Sequence, residues 1–389
     1  MQDTPKKHLR LLATCHGMNH IYQLLPPVIL PVLTLEFGIF SGGFLLWSFV
    51  LSYSLLPALS GYLSLYVGRR NLITAGFIMI ALSLATIGLT SNIVVLAILF
   101  FIAGVGGSIY HPLGSPILAE AYPLSRGRTL GLHQTGGAIG SFIGPFITGL
   151  MVSGLGWRPT LVLFAIPGLI LAAALWFSIS PKQTDPNQQE KNGIRLLDLR
   201  MYAPAFLFMV AAFIYVLGQR GTDVFANQYF TFRGIDIALA SLLFSMLKLA
   251  GLFSAPICGR LSDKYGRKIV LIVLVVVESL SLFTITISPV LILAIPCIIF
   301  GFASFGLLGV GEALLADITP KKERPAFFGI NQTLSFSPQI FLLPLLFGLT
   351  GYFGYNSGFI LLSILMPISI PILLLVRAKN GQQSREKKF

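Results

Sequence analysis

Long apolar runs with few charged residues recur along the whole of this chain. Each run is about 20 residues or longer, which is the length that a helix needs to cross the hydrocarbon core of a bilayer. Only 11% of the residues are charged, compared with about 25% in ordinary soluble domains. The sequence therefore predicts an all-α membrane protein with twelve transmembrane helices. The predicted spans are 11–33, 42–66, 71–90, 93–119, 127–152, 157–179, 201–230, 237–258, 268–288, 290–317, 326–350 and 355–377.

The positions of the basic residues predict the orientation in the membrane. With the N-terminus in the cytoplasm, all but four of the 27 Lys and Arg residues lie on the cytoplasmic side. Arg158 and Arg233 fall on the opposite side, and Arg220 and Lys248 fall within spans. Because cytoplasmic loops are enriched in Lys and Arg, we expect both termini in the cytoplasm and a location in the inner or plasma membrane. The net charge of +13 is explained by this topology and by attraction to anionic lipid, and no nucleic-acid partner is expected.

One long polar break divides the predicted spans into six and six. We expect a first six-helix bundle at 1–179, a cytoplasmic linker at 180–200, and a second bundle at 201–389 that ends in a basic cytoplasmic tail. No soluble domain is predicted outside these bundles, and we expect a monomer.

The two halves repeat one another in sequence. "GYLSLYVGRRN" at 61–71 aligns with "GRLSDKYGRKI" at 259–269, and "GLHQT" at 131–135 aligns with "GINQT" at 329–333 at the same offset. Transporters built from duplicated bundles bind their substrate between the repeats, near the middle of the membrane. The repeat therefore predicts two pseudo-symmetric six-helix bundles with a site between them.

The loop between predicted spans 8 and 9 carries a family resemblance. Its sequence "GRLSDKYGRK" resembles the loop signature G-x-L-x-D-x-x-G-R-K of the major facilitator superfamily, whereas the first-half loop has Leu65 in place of the aspartate. The resemblance implies the major facilitator fold and ion pairs that latch the cytoplasmic helix ends in the outward-facing state. The alternative is that these charges are topology signals and helix caps. The implied latch residues are Arg267 with Asp317, Asp263, and Arg69 or Arg70 with Glu120.

Glycines along predicted span 5 carry a second resemblance, to the antiporter signature of the drug-exporting branch of that superfamily. Within the first half, His16, Asn19 and Gln23 together with "GSIYHP" and "HQTGGAIGSFIGP" are similar to the fosmidomycin-resistance group of exporters. Small residues on one helix face let a neighbouring helix approach closely, and proline removes an amide from the helical hydrogen bonds. We therefore expect a packed glycine seam on span 5. Its predicted residues are Gly131, Gly140, Gly144, Pro145 and Gly149.

Polar and charged residues inside the spans predict where the substrate binds. His16, Asn19, His20 and Gln23 follow the spacing i, i+3, i+4, i+7 and share one helix face. A charge at the centre of a span costs about 2.5–3.5 kcal/mol, so such groups are paired or face a wet cavity. For each histidine taken singly, a structural role is the alternative. The predicted cavity residues are His16, Asn19, His20, Gln23, His111, His133, Gln134, Arg220, Asp223, Asn227, Lys248, Glu312, Asn331 and Gln332.

Two further hypotheses concern charges within the spans. Lys248 and Glu278 lie at equal depth on consecutive spans, so an ion pair is expected; the alternative is that Lys248 meets the substrate. Histidine titrates near neutral pH, so His20 or His16 is the predicted carrier of a transported proton, with Asp223 as its partner across the cavity. Glu312 is the alternative carrier.

These observations favour a proton-coupled exporter of a small polar or anionic compound or drug. An importer or facilitator for an organic anion of the same fold is the alternative. An enzyme is not predicted, because no nucleophile and base accompany the cavity residues. The three cysteines lie far apart and predict neither a disulfide framework nor a metal site. The expected partners are a small-molecule substrate, protons and membrane lipid, with no cofactor and no metal.

Overall fold

The described part of the chain folds into helices that form twelve spans when a bent pair is counted as one. The computed structural model describes residues 4–179, 199–320 and 323–376, and this part of the chain is helical and contains no strand. Eleven helices in it are long and apolar enough to cross a membrane. A pair of helices bent by 55° at its break makes a twelfth when it is counted as one span. The predicted all-α membrane fold is confirmed.

The spans divide into a first half, 1 to 6, and a second half, 7 to 12. Spans 1 to 6 are Thr4–Phe37, Ile39–Leu55 with Pro57–Val67, Arg69–Ile87, Ile93–Ser108 with Tyr110–Ala121, Arg126–Leu155 and Trp157–Ser178. Spans 7 to 12 are Leu199–Phe232, Ile237–Leu249 with Gly251–Tyr265, Arg267–Ile287, Ala294–Ile318, Arg324–Phe336 with Pro338–Phe353, and Asn356–Leu365 with Ser369–Leu375. We call the face where span 1 begins and span 12 ends the terminal side, and the opposite face the far side. The predicted basic tail lies outside the described residues, as does the predicted linker except for its last two positions.

Glycines with positive φ angles reverse the chain between several spans. Gly68 and Gly266 (φ 83° and 95°) follow spans 2 and 8, and Gly156 and Gly354 (φ 83° and 79°) follow spans 5 and 11. Residues with a Cβ rarely adopt this conformation, so glycine allows a turn within one or two residues. Each pair occupies the same place in its half, so the repeat in the sequence extends to the backbone.

Spans 1 and 5 pack in direct backbone contact. A Cβ added to Gly140 would lie 2.0 Å from the carbonyl oxygen of Gly17, and one added to Gly144 would lie 3.0 Å from the side chain of Ile21. Such distances leave no room for a side chain on span 5. The first half is therefore built around the close contact of spans 1 and 5.

The seam differs from its predicted composition. Gly149 faces Ser241 of span 8 and so contributes to the contact between the halves. An atom added at Gly131 meets nothing within 4 Å, so including it was wrong. It lies about two and a half helical turns before Gly140, on the opposite face of span 5. The seam glycines that were not predicted are Gly136 and Gly137.

Hydrogen bonds join the two halves in the middle of the molecule and on the far side. The amide of Asn227 donates to the carbonyl oxygen of Val28 at 2.8 Å, and that of Gln228 donates to Thr34 Oγ1 at 3.0 Å. Between spans 11 and 2, Gln339 donates to Ser54, and Trp47 donates to the carbonyl oxygen of Ile340. These bonds hold the two halves together from the middle of the molecule to the far side.

Candidate functional site

A cavity of about 680 Å³ lies between the two halves. Spans 1, 4 and 5 supply one wall, and spans 7, 8, 10 and 11 supply the other. Eleven of the fourteen predicted cavity residues line it. They are His16, His20, Gln23, His111, Gln134, Arg220, Asp223, Lys248, Glu312, Asn331 and Gln332. The polar face of span 1 is thus directed into the cavity.

Three charged residues, here called the charged cluster, lie deep in the cavity wall. Asp223 accepts hydrogen bonds from Arg220 Nη1, at 3.2 Å, and from Lys248 Nζ. Arg220 Nε donates to the carbonyl oxygen of Ser335 on span 11 at 2.7 Å, and its guanidinium lies 4.2 Å from the centre of the Phe336 ring. Each member of the cluster is at most 7% exposed. Two cations share one carboxylate, so the cluster has a formal charge of +1.

The expected ion pair between Lys248 and Glu278 is wrong. Lys248 bonds to Asp223 of span 7, and its side chain lines the cavity between the halves. Glu278 is 1% exposed and forms no ion pair among the described residues, and the Ser304 hydroxyl lies beside its carboxyl group. Equal depth alone did not bring the two side chains together.

Three histidines on the opposite wall, here called the histidine cluster, lie side by side. His16, His20 and His111 have ring centres 4.9–5.2 Å apart. His16 Nε2 lies 3.2 Å from His20 Nε2, and His16 Nδ1 lies 3.0 Å from the carbonyl oxygen of His133. The cluster joins spans 1 and 4 at the cavity surface.

His133 lies behind this cluster and does not line the cavity. Its ring stacks on His16 with centres 4.2 Å apart. Its Nε2 lies 3.0 Å from the hydroxyl of Tyr110, which donates to the carbonyl oxygen of Leu12. The Tyr110 hydrogen is therefore used, so His133 Nε2 is the donor in this contact. The geometry gives His133 a packing role between spans 1, 4 and 5.

Two predicted cavity residues are helix-packing residues instead. Asn227 bonds to Val28 and accepts a hydrogen bond from Ser241 at 3.1 Å, so it ties span 7 to spans 1 and 8. Asn19 is 1% exposed and lies outside the cavity lining. Asn19 and Asn227 each share a helix face with cavity residues, but neighbouring helices cover these two side chains.

Sequence reasoning missed several residues of the cavity wall. Gln219 precedes Arg220 and resembled an ordinary polar residue of span 7, and the aromatic residues of spans 7, 10 and 11 resembled core residues. The type of side chain alone does not indicate that these positions line a cavity. The missed lining residues include Gln219, Tyr215, Phe305, Ser335 and Phe336.

The cavity opens on the terminal side. Three lining residues toward that side, Gln134, Glu312 and Gln332, are exposed, whereas the charged cluster at the other end is buried. The hydrogen bonds between Asn227 and Val28 and between Gln228 and Thr34 close the far side. A solute of suitable size therefore reaches the charged cluster from the terminal side.

Ion pairs at the terminal ends of the spans join helices within each half. Arg267 bonds to Asp317, and also to Asp263 at 3.1 Å. Arg69 bonds to Glu120 at 2.6 Å. Of the two predicted partners of Glu120, Arg70 is the incorrect one; its guanidinium stacks over Trp176 and bonds to Asn71. The latch is expected in the state that is closed at these helix ends, whereas the pairs are formed here while the cavity is open on this side.

Curated relatives of the chain carry the names of transporters. Multi-drug resistance efflux pump PmrA homolog of Lactococcus lactis is 24% identical over 383 residues, covering 92% of this chain and 91% of that protein. Riboflavin transporter RibZ of Clostridioides difficile is 24% identical over 340 residues, covering 70% and 72%. MFS transporter asaE of Aspergillus flavus is 28% identical over 226 residues, and that match spans 56% of this chain and 49% of the relative, about half of its length.

A solved structure shows the same fold. A bacterial homolog of the human lysosomal transporter Spinster, in an inward-facing and occupied conformation, superimposes with a TM-score of 0.81 at 15% identity, covering 97% of each chain. The model of the Major Facilitator Superfamily matches residues 12–253 and 197–389. These matches agree with a polar cavity between two six-span halves and confirm the prediction of a transporter and not an enzyme. The chain is a multi-pass membrane protein that belongs to the Major Facilitator Superfamily.

Proposed function

We propose that this transporter exports a small anionic or strongly polar compound in exchange for protons. The observation that carries the proposal is the charged cluster at the closed end of the cavity. Arg220 and Lys248 share the single carboxylate of Asp223. An uncompensated charge is costly where water is scarce, so an anionic group of a solute would stabilise this end of the cavity.

Export is supported by the efflux pumps among the relatives and by the glycines of span 5 that resemble the antiporter signature. By the positive-inside rule, the distribution of basic residues favours a cytoplasmic location for the terminal side, and the cavity would then face the compartment from which an exporter loads its solute. The likeness to the fosmidomycin-resistance group stays a prediction. Import or facilitated passage of an organic anion is the second candidate, since a relative is named a riboflavin transporter.

Glu278 is the best candidate for the coupling proton. An ionised carboxylate without a cationic partner is very costly inside a protein, and Glu278 is buried and belongs to no ion pair among the described residues, so it would hold a proton until a cation approaches it. Lys248 lies at a similar depth on the adjacent span, so its movement from Asp223 toward Glu278 would favour release of the proton. His20, the carrier predicted from sequence, has His16 and not Asp223 as its hydrogen-bond partner.

Transport by purified protein in liposomes with an internal pH dye tests this function. We expect phosphonates or organic acids, but not lipophilic cations, to drive proton movement opposite to the solute. Glu278→Gln should lower the rate of proton-driven transport at least tenfold, while substrate counterflow continues. Glu36→Gln, which changes a surface acid bonded to Arg158, is the matched control and should retain both activities.

Three results would contradict the proposal in different ways. Proton movement in the same direction as the solute would favour the importer. Transport of lipophilic cations in place of anions would refute the assigned substrate class. Full proton-driven transport by Glu278→Gln would exclude this residue as the carrier.

A further inference from the structure

We propose that the histidine cluster binds a divalent transition-metal ion of the zinc class. The ligand nitrogens of His16, His20 and His111 all lie within 4.8 Å of one another. All three side chains line the cavity, so an ion reaches them from the open terminal side. Imidazole suits Zn²⁺, Cu²⁺ and Ni²⁺, whereas Mg²⁺ and Ca²⁺ require oxygen ligands. This inference concerns a site that the proposed export and coupling do not use.

The spacing of the nitrogens fits tetrahedral coordination. Zinc–nitrogen bonds of about 2.0–2.1 Å place neighbouring ligands of a tetrahedron about 3.3 Å apart, and the Nε2 atoms of His16 and His20 are 3.2 Å apart. Two histidines separated by four residues on a helix are a recurring zinc-binding arrangement. His111 faces both from span 4, with ring centres 5.2 Å and 5.0 Å away.

Hydrogen bonds orient two of the three rings for this role. The carbonyl of His133 only accepts, so His16 Nδ1 carries the hydrogen and His16 Nε2 presents its lone pair to His20. Metal-binding histidines commonly donate their other N–H to a backbone carbonyl in this way. His20 donates from Nε2 to His16 in the absence of metal and would shift that hydrogen to Nδ1 on binding. His111 Nε2 is buried and has no hydrogen-bond partner among the described residues.

The charges of the cavity do not exclude a cation. The charged cluster carries one net positive charge and Glu312, elsewhere in the lining, carries one negative charge, so the wall as a whole has no net formal charge while its histidines are neutral. Phe336 lies between the two clusters, with its ring centre 6.3 Å from that of His111 and 4.2 Å from the Arg220 guanidinium.

Three imidazoles leave the fourth tetrahedral position to water or to an anionic oxygen in the cavity. No metal site is predicted from the sequence because His111 lies far from the other two histidines along the chain. The fold brings His111 next to His16 and His20.

Cobalt titration of the detergent-purified full chain tests the site. The protein carries an affinity tag without histidine, because a polyhistidine tag would itself bind the metal. We expect one Co²⁺ per chain with the visible absorption of a tetrahedral complex, displaced by Zn²⁺ and not by Mg²⁺. His20→Gln and His111→Gln should each weaken binding by more than about 100-fold, the upper end of what loss of an outer ligand contact costs.

A control variant separates this site from a histidine elsewhere in the chain. His8→Ala removes the fifth histidine, which is bonded to the Ser178 carbonyl. This variant should bind Co²⁺ as the unchanged protein does. If a variant does not fold, as judged by size-exclusion chromatography, the other cluster variant and the shift in melting temperature on adding Zn²⁺ to the unchanged protein decide the matter.

Absence of stoichiometric binding to the unchanged protein would overturn the proposal. Binding that persists in the His20→Gln, His111→Gln double variant, or that His8→Ala abolishes, would also overturn it. These measurements require no transport, so failure of the metal site and failure of the proposed export are distinguishable.

Discussion

At the scale of single residues, Asp223 is the one carboxylate that both cations of the charged cluster share. It bonds to Arg220 three residues earlier on the same helix and to Lys248 on the next span. Removing one partner of a buried ion pair costs about 3–5 kcal/mol, because the other charge is left uncompensated. The consequences of substitution therefore depend on how many unpaired charges remain.

Asp223→Asn should destabilise the protein more than Lys248→Met. The first change leaves two buried cations without a carboxylate, whereas the second leaves the Arg220–Asp223 pair intact. We expect a loss of about 3–5 kcal/mol for Asp223→Asn and a smaller loss for Lys248→Met, measured by thermal unfolding in detergent. The double variant should lie between them, since Arg220 keeps its bond to the Ser335 carbonyl. A Lys248→Met protein less stable than Asp223→Asn would contradict this assignment.

The sequence predicts the polar face of a span better than the partner of each side chain on it. The spacing of His16, His20 and Gln23 correctly indicates a shared face, because helical periodicity depends on the sequence alone. Whether Asn19 or Asn227 on such a face meets the cavity or another helix depends on how the spans are rotated and how closely they pack. The rotation of span 8 likewise brings Lys248 to Asp223, so Lys248 does not pair with Glu278.

At the scale of elements, glycine determines how closely spans 1 and 5 approach. The sequence indicates that span 5 has a face without side chains, and Gly140 and Gly144 lie on it. It does not indicate which helix meets that face, so the role of Gly17 on span 1 was not predicted. Gly149 belongs to the contact with span 8 because span 5 crosses from one neighbour to another along its length.

Gly140→Ala should disrupt the first half, whereas Gly131→Ala should not. The added methyl group at Gly140 would lie 2.0 Å from the Gly17 carbonyl oxygen, and spans 1 and 5 would have to separate. At Gly131 the methyl group meets open space, and alanine is favoured over glycine within a helix by about 0.5–1 kcal/mol.

Size-exclusion chromatography and melting in detergent compare these two matched variants. We expect a lower melting temperature or loss of folded protein for Gly140→Ala, and an unchanged or higher melting temperature for Gly131→Ala. Equal stability of the two proteins would show that spans 1 and 5 do not depend on this contact.

At the scale of the whole molecule, the two halves meet on the far side and part on the terminal side. The duplicated sequence predicts two bundles and a site between them, and the matching glycine turns agree with that repeat. The side on which the cavity opens could not be predicted, because a transporter that works by alternating access forms both arrangements from one sequence. The contacts that close the far side in this arrangement have to break in the other.

Cross-linking the halves on the far side should therefore stop transport. Thr34 of span 1 and Gln228 of span 7 are joined by a hydrogen bond of 3.0 Å, and cysteines at both positions suit a short bifunctional methanethiosulfonate. The three native cysteines, all buried, are first replaced by serine or alanine. We expect loss of transport with solute binding retained, because the cavity stays open on the terminal side, and recovery after reduction. The single-cysteine variants treated in the same way should remain active, and continued transport by fully cross-linked protein would show that the cycle does not separate spans 1 and 7 at this place.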